Sequence, residues 1–201
     1  MLVEDRTGSG LAYPLQAVIA GSSASYGSMT QFELSTGTQG NWRLPSAPQF
    51  EVNSWLGPMQ PAIIDFPRGR LTIGVEWGTR EPEWFAKSIA EIRRLLWLPA
   101  GWDSFQGQPV DPVTAARSLE LLVNLSQDDM PAPQFIPAQR GGVQLEWHRR
   151  GIDLEIELQT SGRIAAMFED TWESVEWERD VTINNDPSLS AVMPKLNRSP
   201  R

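Results

Sequence analysis

Two runs of alternating apolar and polar residues, separated by Arg149-Arg150-Gly151, constrain this chain more than any other feature. Val143, Leu145 and Trp147 alternate with Gln144, Glu146 and His148 before the turn; Ile152, Leu154, Ile156 and Leu158 alternate with Asp153, Glu155 and Glu157 after it. Successive side chains of a strand point to opposite faces. A slip of one residue would carry a whole apolar row into water, so the register must keep both rows together. A two- or four-residue turn meets that condition. It sets Trp147 opposite Leu154, Leu145 opposite Ile156, His148 opposite Asp153 and Glu146 opposite Glu155.

The flanking sequence builds a fold around this hairpin. A third strand from Gly162 to Phe168 follows the Thr160-Ser161-Gly162 turn, with Ile164 expected beside Ile156 and Arg163 beside Glu157. Upstream, Phe85, Ile89, Ile92 and Leu96 recur at helical spacing. Pro82 suits the first helical position, Glu81 and Glu83 the positive end of the helix dipole, and Arg93-Arg94 the negative end. A second helix starts at Asp111-Pro112 and runs to about Ser126. Its apolar face, with Val113, Ala116, Leu119, Leu122 and Val123 widened by Leu121 and Leu125, predicts burial between two layers. Pro131, Pro133 and Pro137 force an extended connection into the hairpin. The class is therefore α+β, with two helices packed on an antiparallel β-meander over residues 81–180.

Residues 1–80 are different in character. Glu33 is the only charge between Thr7 and Trp42, and ten of the sixteen glycines precede residue 80. Alternation at 30–34 and 71–77 predicts strands, and the stretch between them, with Pro58, Pro61, Pro67 and Gly69, reads as loops. The region is expected to be β-rich and irregular, or partly disordered before about residue 45. Glu169 to Asp180 reads as a short helix on the spacing of Trp172, Val175 and Glu176, and residues 181–201 as a loose tail.

Two elements of the C-terminal half resemble those of a group of small uncharacterised bacterial proteins. They are Gly101-Trp102-Asp103-Ser104-Phe105, and Gly141-Gly142 leading into the Val143–His148 strand and on to Gly151-Ile152-Asp153-Leu154-Glu155-Ile156-Glu157. The likeness spans roughly residues 95–170 and implies no activity.

The chemistry of the sequence excludes more than it selects. With no cysteine, disulfides, thiolate metal sites and cysteine nucleophiles are ruled out. GxSxG, HExxH, EF-hand and GxGxxG patterns are absent, so no cofactor or metal is expected. No apolar run approaches the ~20 residues that span a bilayer, and residues 1–30 make a poor signal peptide, so a cytoplasmic location is expected. The 17 basic and 25 acidic residues give a net charge of −8, against the basic patch that nucleic-acid binding requires. Ten acids and four basic residues fall within 142–180.

Two groups of residues stand out. Glu146, His148, Asp153, Glu155 and Glu157 share the hairpin's polar face, where Glu146 and Glu155 repel across the strands unless something offsets them. Such a face serves as plain solvated surface neutralised by Arg149, Arg150 and Arg163, as a docking surface, or as a cation or general-base site. Trp102 and Asp103, in the loop between the helices, either line a pocket or hold the loop together, the Asp on loop amides. The nine Trp read mainly as anchors, with Trp84, Trp97 and Trp147 near core faces; sugar stacking is the competing use.

The expected function is non-enzymatic: an acidic face presented to a basic protein partner, as an antitoxin, immunity protein or inhibitor would present it. The alternatives are a small hydrolase or metal-dependent enzyme using the hairpin carboxylates and His148, and a structural or assembly component with open strand edges. No oligomeric state follows from the sequence.

Overall fold

A computed structural model describes residues 28–36, 61–77, 80–125 and 129–197. Expectations for residues before 28 and for 37–60 lie outside the described residues. Strand β1 (Ser28–Thr36) pairs antiparallel with β3 (Gly69–Glu76), which pairs on its other side with β2 (Ala62–Phe66). Helices α1 (Glu83–Leu96) and α2 (Pro112–Leu125) follow. Five strands then form an antiparallel meander in chain order, β4 (Gln134–Pro137), β5 (Val143–Arg149), β6 (Ile152–Leu158), β7 (Ile164–Asp170) and β8 (Val175–Asp180). A short helix α3 (Pro187–Val192) and a 3-10 turn (Met193–Asn197) complete the α+β fold.

The wide apolar face of α2 has the consequence expected of it. The helix contacts β1 and β3 of the N-terminal sheet as well as β5 and β6 of the meander, with Leu119, Leu121 and Leu122 fully buried. Both helices thus contact the meander and the N-terminal sheet, and all of them share one buried core. Asp111 caps α2, its Oδ2 accepting from Thr114 N at 2.8 Å. At α1 the start shifts by one position: Pro82 is the N-cap and Glu83 the first helical residue.

Helix α1 contacts the two edge strands β2 and β4. Arg94 Nη2 donates to Phe135 O on β4 at 3.0 Å, and Trp97 Nε1 to Asp65 O on β2 at 3.0 Å. Both bonds satisfy carbonyls of strands at sheet edges, which would otherwise template pairing with another chain. Trp97 is therefore not the core anchor the sequence suggested; it is 58% exposed and works from the surface. Trp84 and Trp147 are buried as expected.

Four other expectations are corrected. Residues 62–66, read as part of a loop region, form β2; the flanking Pro61 and Pro67 bound the strand, and Ile64 and Phe66 face the core. The β6–β7 register is displaced by two residues, with Ile164 opposite Leu158 and Ala166 opposite Ile156. The loop there is centred one residue later than assumed, with Gln159 N bonded to Arg163 O. A shift of two preserves the faces, so burial alone does not detect it.

The 169–180 stretch is a hairpin arm, not a helix. Asp170 Oδ1 accepts from Trp172 N and Glu173 N in the turn, and β8 then pairs Trp177 with Phe168, ring centroids 5.5 Å apart. The residues beyond Asn184, expected to be loose, bury Leu189, Val192, Met193 and Leu196 in the same core cluster as both sheets. Asp186 caps α3, and Lys195 pairs with Asp170 and Glu173.

Candidate functional site

The β5–β6 register is the one derived from the alternation, down to Glu146 opposite Glu155 and His148 opposite Asp153. Its apolar rows are buried and its polar rows lie on the face turned away from the helices. The added strands extend that outer face into three cross-strand rows. One row reads Gln134, Glu146, Glu155, Met167, Glu178; the next reads Ile136, Gln144, Glu157, Ala165, Asp180. The third reads His148, Asp153, Glu169, Glu176. Eight of these fourteen strand positions are carboxylates, and none is Lys or Arg.

Partners for this charge come from within the sheet and from its turns. Protonated, His148 bridges two strands, donating from Nδ1 to Asp153 Oδ1 at 2.7 Å and from Nε2 to Glu146 Oε2 at 3.1 Å. The bond to Asp153, then that to Glu146, holds the imidazole pKa above its ordinary value of 6.5. Gln144 Nε2 donates to Glu155 Oε2 at 2.8 Å. Arg163, from the β6–β7 loop, pairs with Asp180 at 2.7 Å, and the fields of Glu157 and Glu178 also act on it. Arg163, one of the arginines expected to neutralise the face, thus reaches it. Arg149 pairs with Ile152, so strand parity puts it on the other side.

Glu146 is the most enclosed of the His148 group, its side chain 17% exposed against 42% for Asp153 and 44% for His148. A donor atom from each of Glu146, His148 and Glu155 lies within 4.8 Å of the other two. Two clefts lie at the margins of the sheet. One, between the β4–β5 and β6–β7 turns, is lined by Arg140, Glu157, Thr160 and Ser161; the other runs between α1 and β4. Neither includes Glu146, His148, Asp153 or Glu155.

In the interhelical loop, Asp103 Oδ1 accepts from Phe105 N and Gly107 N, both at 2.9 Å, and Trp102 Nε1 donates to Gln108 O at 3.1 Å. Those amides, Gly107 first, hold the Asp103 carboxyl below its ordinary pKa. Gly101, at φ +74°, donates from N to Gly107 O and closes the loop. A Cβ on Gly107 would stand 2.8 Å from Trp102 Nε1 and 2.9 Å from the Asp103 carboxyl, which explains the glycine. The polar groups of both candidate residues are thus taken up in loop closure. Phe105, at the tip, is 84% exposed.

Glu120 escaped the sequence reading. It sits within the buried surface of α2, its Oε1 has no hydrogen-bond partner, and burial pushes its carboxyl above the usual glutamate range while Arg117 opposes the shift. The signal was present: a glutamate between Leu119 and Leu121 on a helix too apolar to leave it a solvent side. It lines neither cleft.

No family model matches this chain, and no curated protein or solved structure matches it either. Among the described residues, no helix is long and apolar enough to cross a membrane.

Proposed function

We propose that the outer face of the five-stranded sheet is a docking surface for a basic protein, and that the chain works as an interaction module of the inhibitor, immunity or antitoxin kind. One observation carries this reading: eight carboxylates in three registered rows, with His148 as the one basic side chain and no Lys or Arg among them. Like charges at cross-strand neighbours cost stability, so the arrangement works against folding and calls for a use. A Lys- or Arg-bearing surface would meet a matching potential, with fast, salt-sensitive association. Met167 and Ile136, half-buried among the acids, supply apolar contact within the charged field.

An enzyme would gather its groups in a cleft, whereas a docking surface spreads them over open sheet. Glu146, His148, Asp153 and Glu155 lie outside both clefts, and of the hairpin carboxylates only Glu157 lines one, which favours docking over hydrolysis.

Affinity capture with the full chain from its native host, with chelator present and both proteins and nucleic acid identified, tests the reading. The expected partner is a basic protein whose retention falls steeply between low and moderate salt. Retention should also be lost with Glu155→Gln, Glu157→Gln and Glu178→Gln combined. A partner held equally by that variant, or a nucleic acid, would overturn it.

A further inference from the structure

We propose that Glu146, His148 and Glu155 form a site for a divalent transition-metal ion of the zinc class on the same sheet face. Strand β5 brings Glu146 and His148, two residues apart, to one side, and β6 sets Glu155 directly opposite Glu146. Zinc bonds of about 2.0–2.2 Å place adjacent ligand atoms roughly 3–3.6 Å apart. His148 Nε2 and Glu146 Oε2 already stand 3.1 Å apart, and all three donors fall within 4.8 Å. A small shift of the Glu155 side chain would close the remainder.

The imidazole distinguishes this cluster from a merely acidic patch. Nδ1 is held by Asp153 at 2.7 Å, which fixes the ring and turns Nε2 toward the carboxylates. Metal-bound histidines divide their nitrogens in the same way, one on the ion and the other on a carboxylate or carbonyl that orients the ring. Glu155 is oriented by Gln144 through one oxygen, which leaves Oε1 for the ion. In the loaded site Nε2 gives up its proton and the ion takes its place between the strands. Two positive charges then offset the Glu146–Glu155 repulsion more fully than one imidazolium does.

The donor set selects the class. Calcium and magnesium favour oxygen-only shells, whereas one imidazole with two carboxylates and no thiolate suits zinc or manganese. The site stands apart from the docking reading, since capture in chelator leaves it unloaded.

Calorimetric titration of the chelator-stripped full chain with Zn²⁺, alongside ¹⁵N spectra of the imidazole, tests the site. His148 is the only histidine, so its signals are unambiguous. The expected result is one ion per chain, with the Nε2 resonance moving to the metal-bound range while Nδ1 keeps its proton; Mg²⁺ should move neither. His148→Gln should weaken binding by about 100-fold, and Asp153→Asn, acting through ring orientation, by ~10–100-fold. The Glu176→Gln/Glu178→Gln pair should change it less than about threefold, since those side chains lie outside the proposed ligand set. Thermal melts check that each variant is folded. Absence of binding, an unmoved Nε2 signal, or equal weakening by the Glu176/Glu178 pair would overturn the proposal.

Discussion

The 101–107 loop and the outer face of the five-stranded sheet both set a carboxylate beside a larger polar or aromatic ring, and they use its charge in different ways. Asp103 spends its acceptors on the amides of Phe105 and Gly107, and Trp102 spends its donor on Gln108 O. That carboxylate is part of the backbone's own hydrogen bonding, and its depressed pKa reflects those amides. On the sheet, His148 and Gln144 reach individual carboxylates across strands while the rows as a whole keep a large excess of negative charge. A carboxylate claimed by backbone amides holds a loop; a field of carboxylates with few counter-charges is available to an outside cation.

The largest effect separates the two faces of one strand. Trp147→Ala removes a buried indole whose Nε1 donates to Pro131 O at 2.8 Å, and should cost about 3–5 kcal/mol. Its neighbour Glu146→Gln, on the outer face, should stay within about 0.5 kcal/mol of wild type or gain slightly from relieved repulsion. Denaturant unfolding of both variants checks this, and comparable losses would place Glu146 among the structural residues.

A smaller effect is expected in the loop. Gly107→Ala drives a Cβ against Trp102 and Asp103 and should cost about 1–3 kcal/mol, seen as a lowered melting temperature, without altering partner retention. A stable variant that lost the partner would move the loop from scaffold to site.

The smallest effect is a pH dependence. The folded-state pKa of His148 is raised, so its contribution is fully present below the unfolded value of about 6.5. It is lost as pH rises through the higher folded value. In chelator, the stability difference between wild type and His148→Gln should therefore shrink above pH 6.5, and imidazole NMR should titrate above that value. A titration at or below 6.5 would show that the Asp153 and Glu146 bonds do not form in solution.

Much of this site was legible in the sequence because burial fixes register. Once Leu145, Trp147, Leu154 and Ile156 had to share a face, Glu146 had to oppose Glu155 and His148 had to oppose Asp153. Parity alone cannot fix loop length, so the β6–β7 pairing came out two residues off while its faces remained right. The last strand was obscured by Trp172 and Val175 at helical spacing, although Val175-Glu176-Trp177-Glu178 also alternates. With Glu169 to Asp180 read as a helix, the acidic face stops at the hairpin, and four of its eight carboxylates, Glu169, Glu176, Glu178 and Asp180, are missing. In the C-terminal segment, Leu189, Val192, Met193 and Leu196 carry a helical stripe that the surrounding prolines hid. Rotamers are beyond any pattern of residues, so the convergence of Nε2 on Glu146 became visible only in three dimensions.

Carboxyl-directed footprinting of the captured complex, read by mass spectrometry, tests the central claim most directly. Glu155, Glu157 and Glu178 should be protected by the partner, while Glu83 and Glu91 on α1 label as they do in the free chain. Protection of the helix α1 acids with the sheet carboxylates still fully labelled would contradict the account.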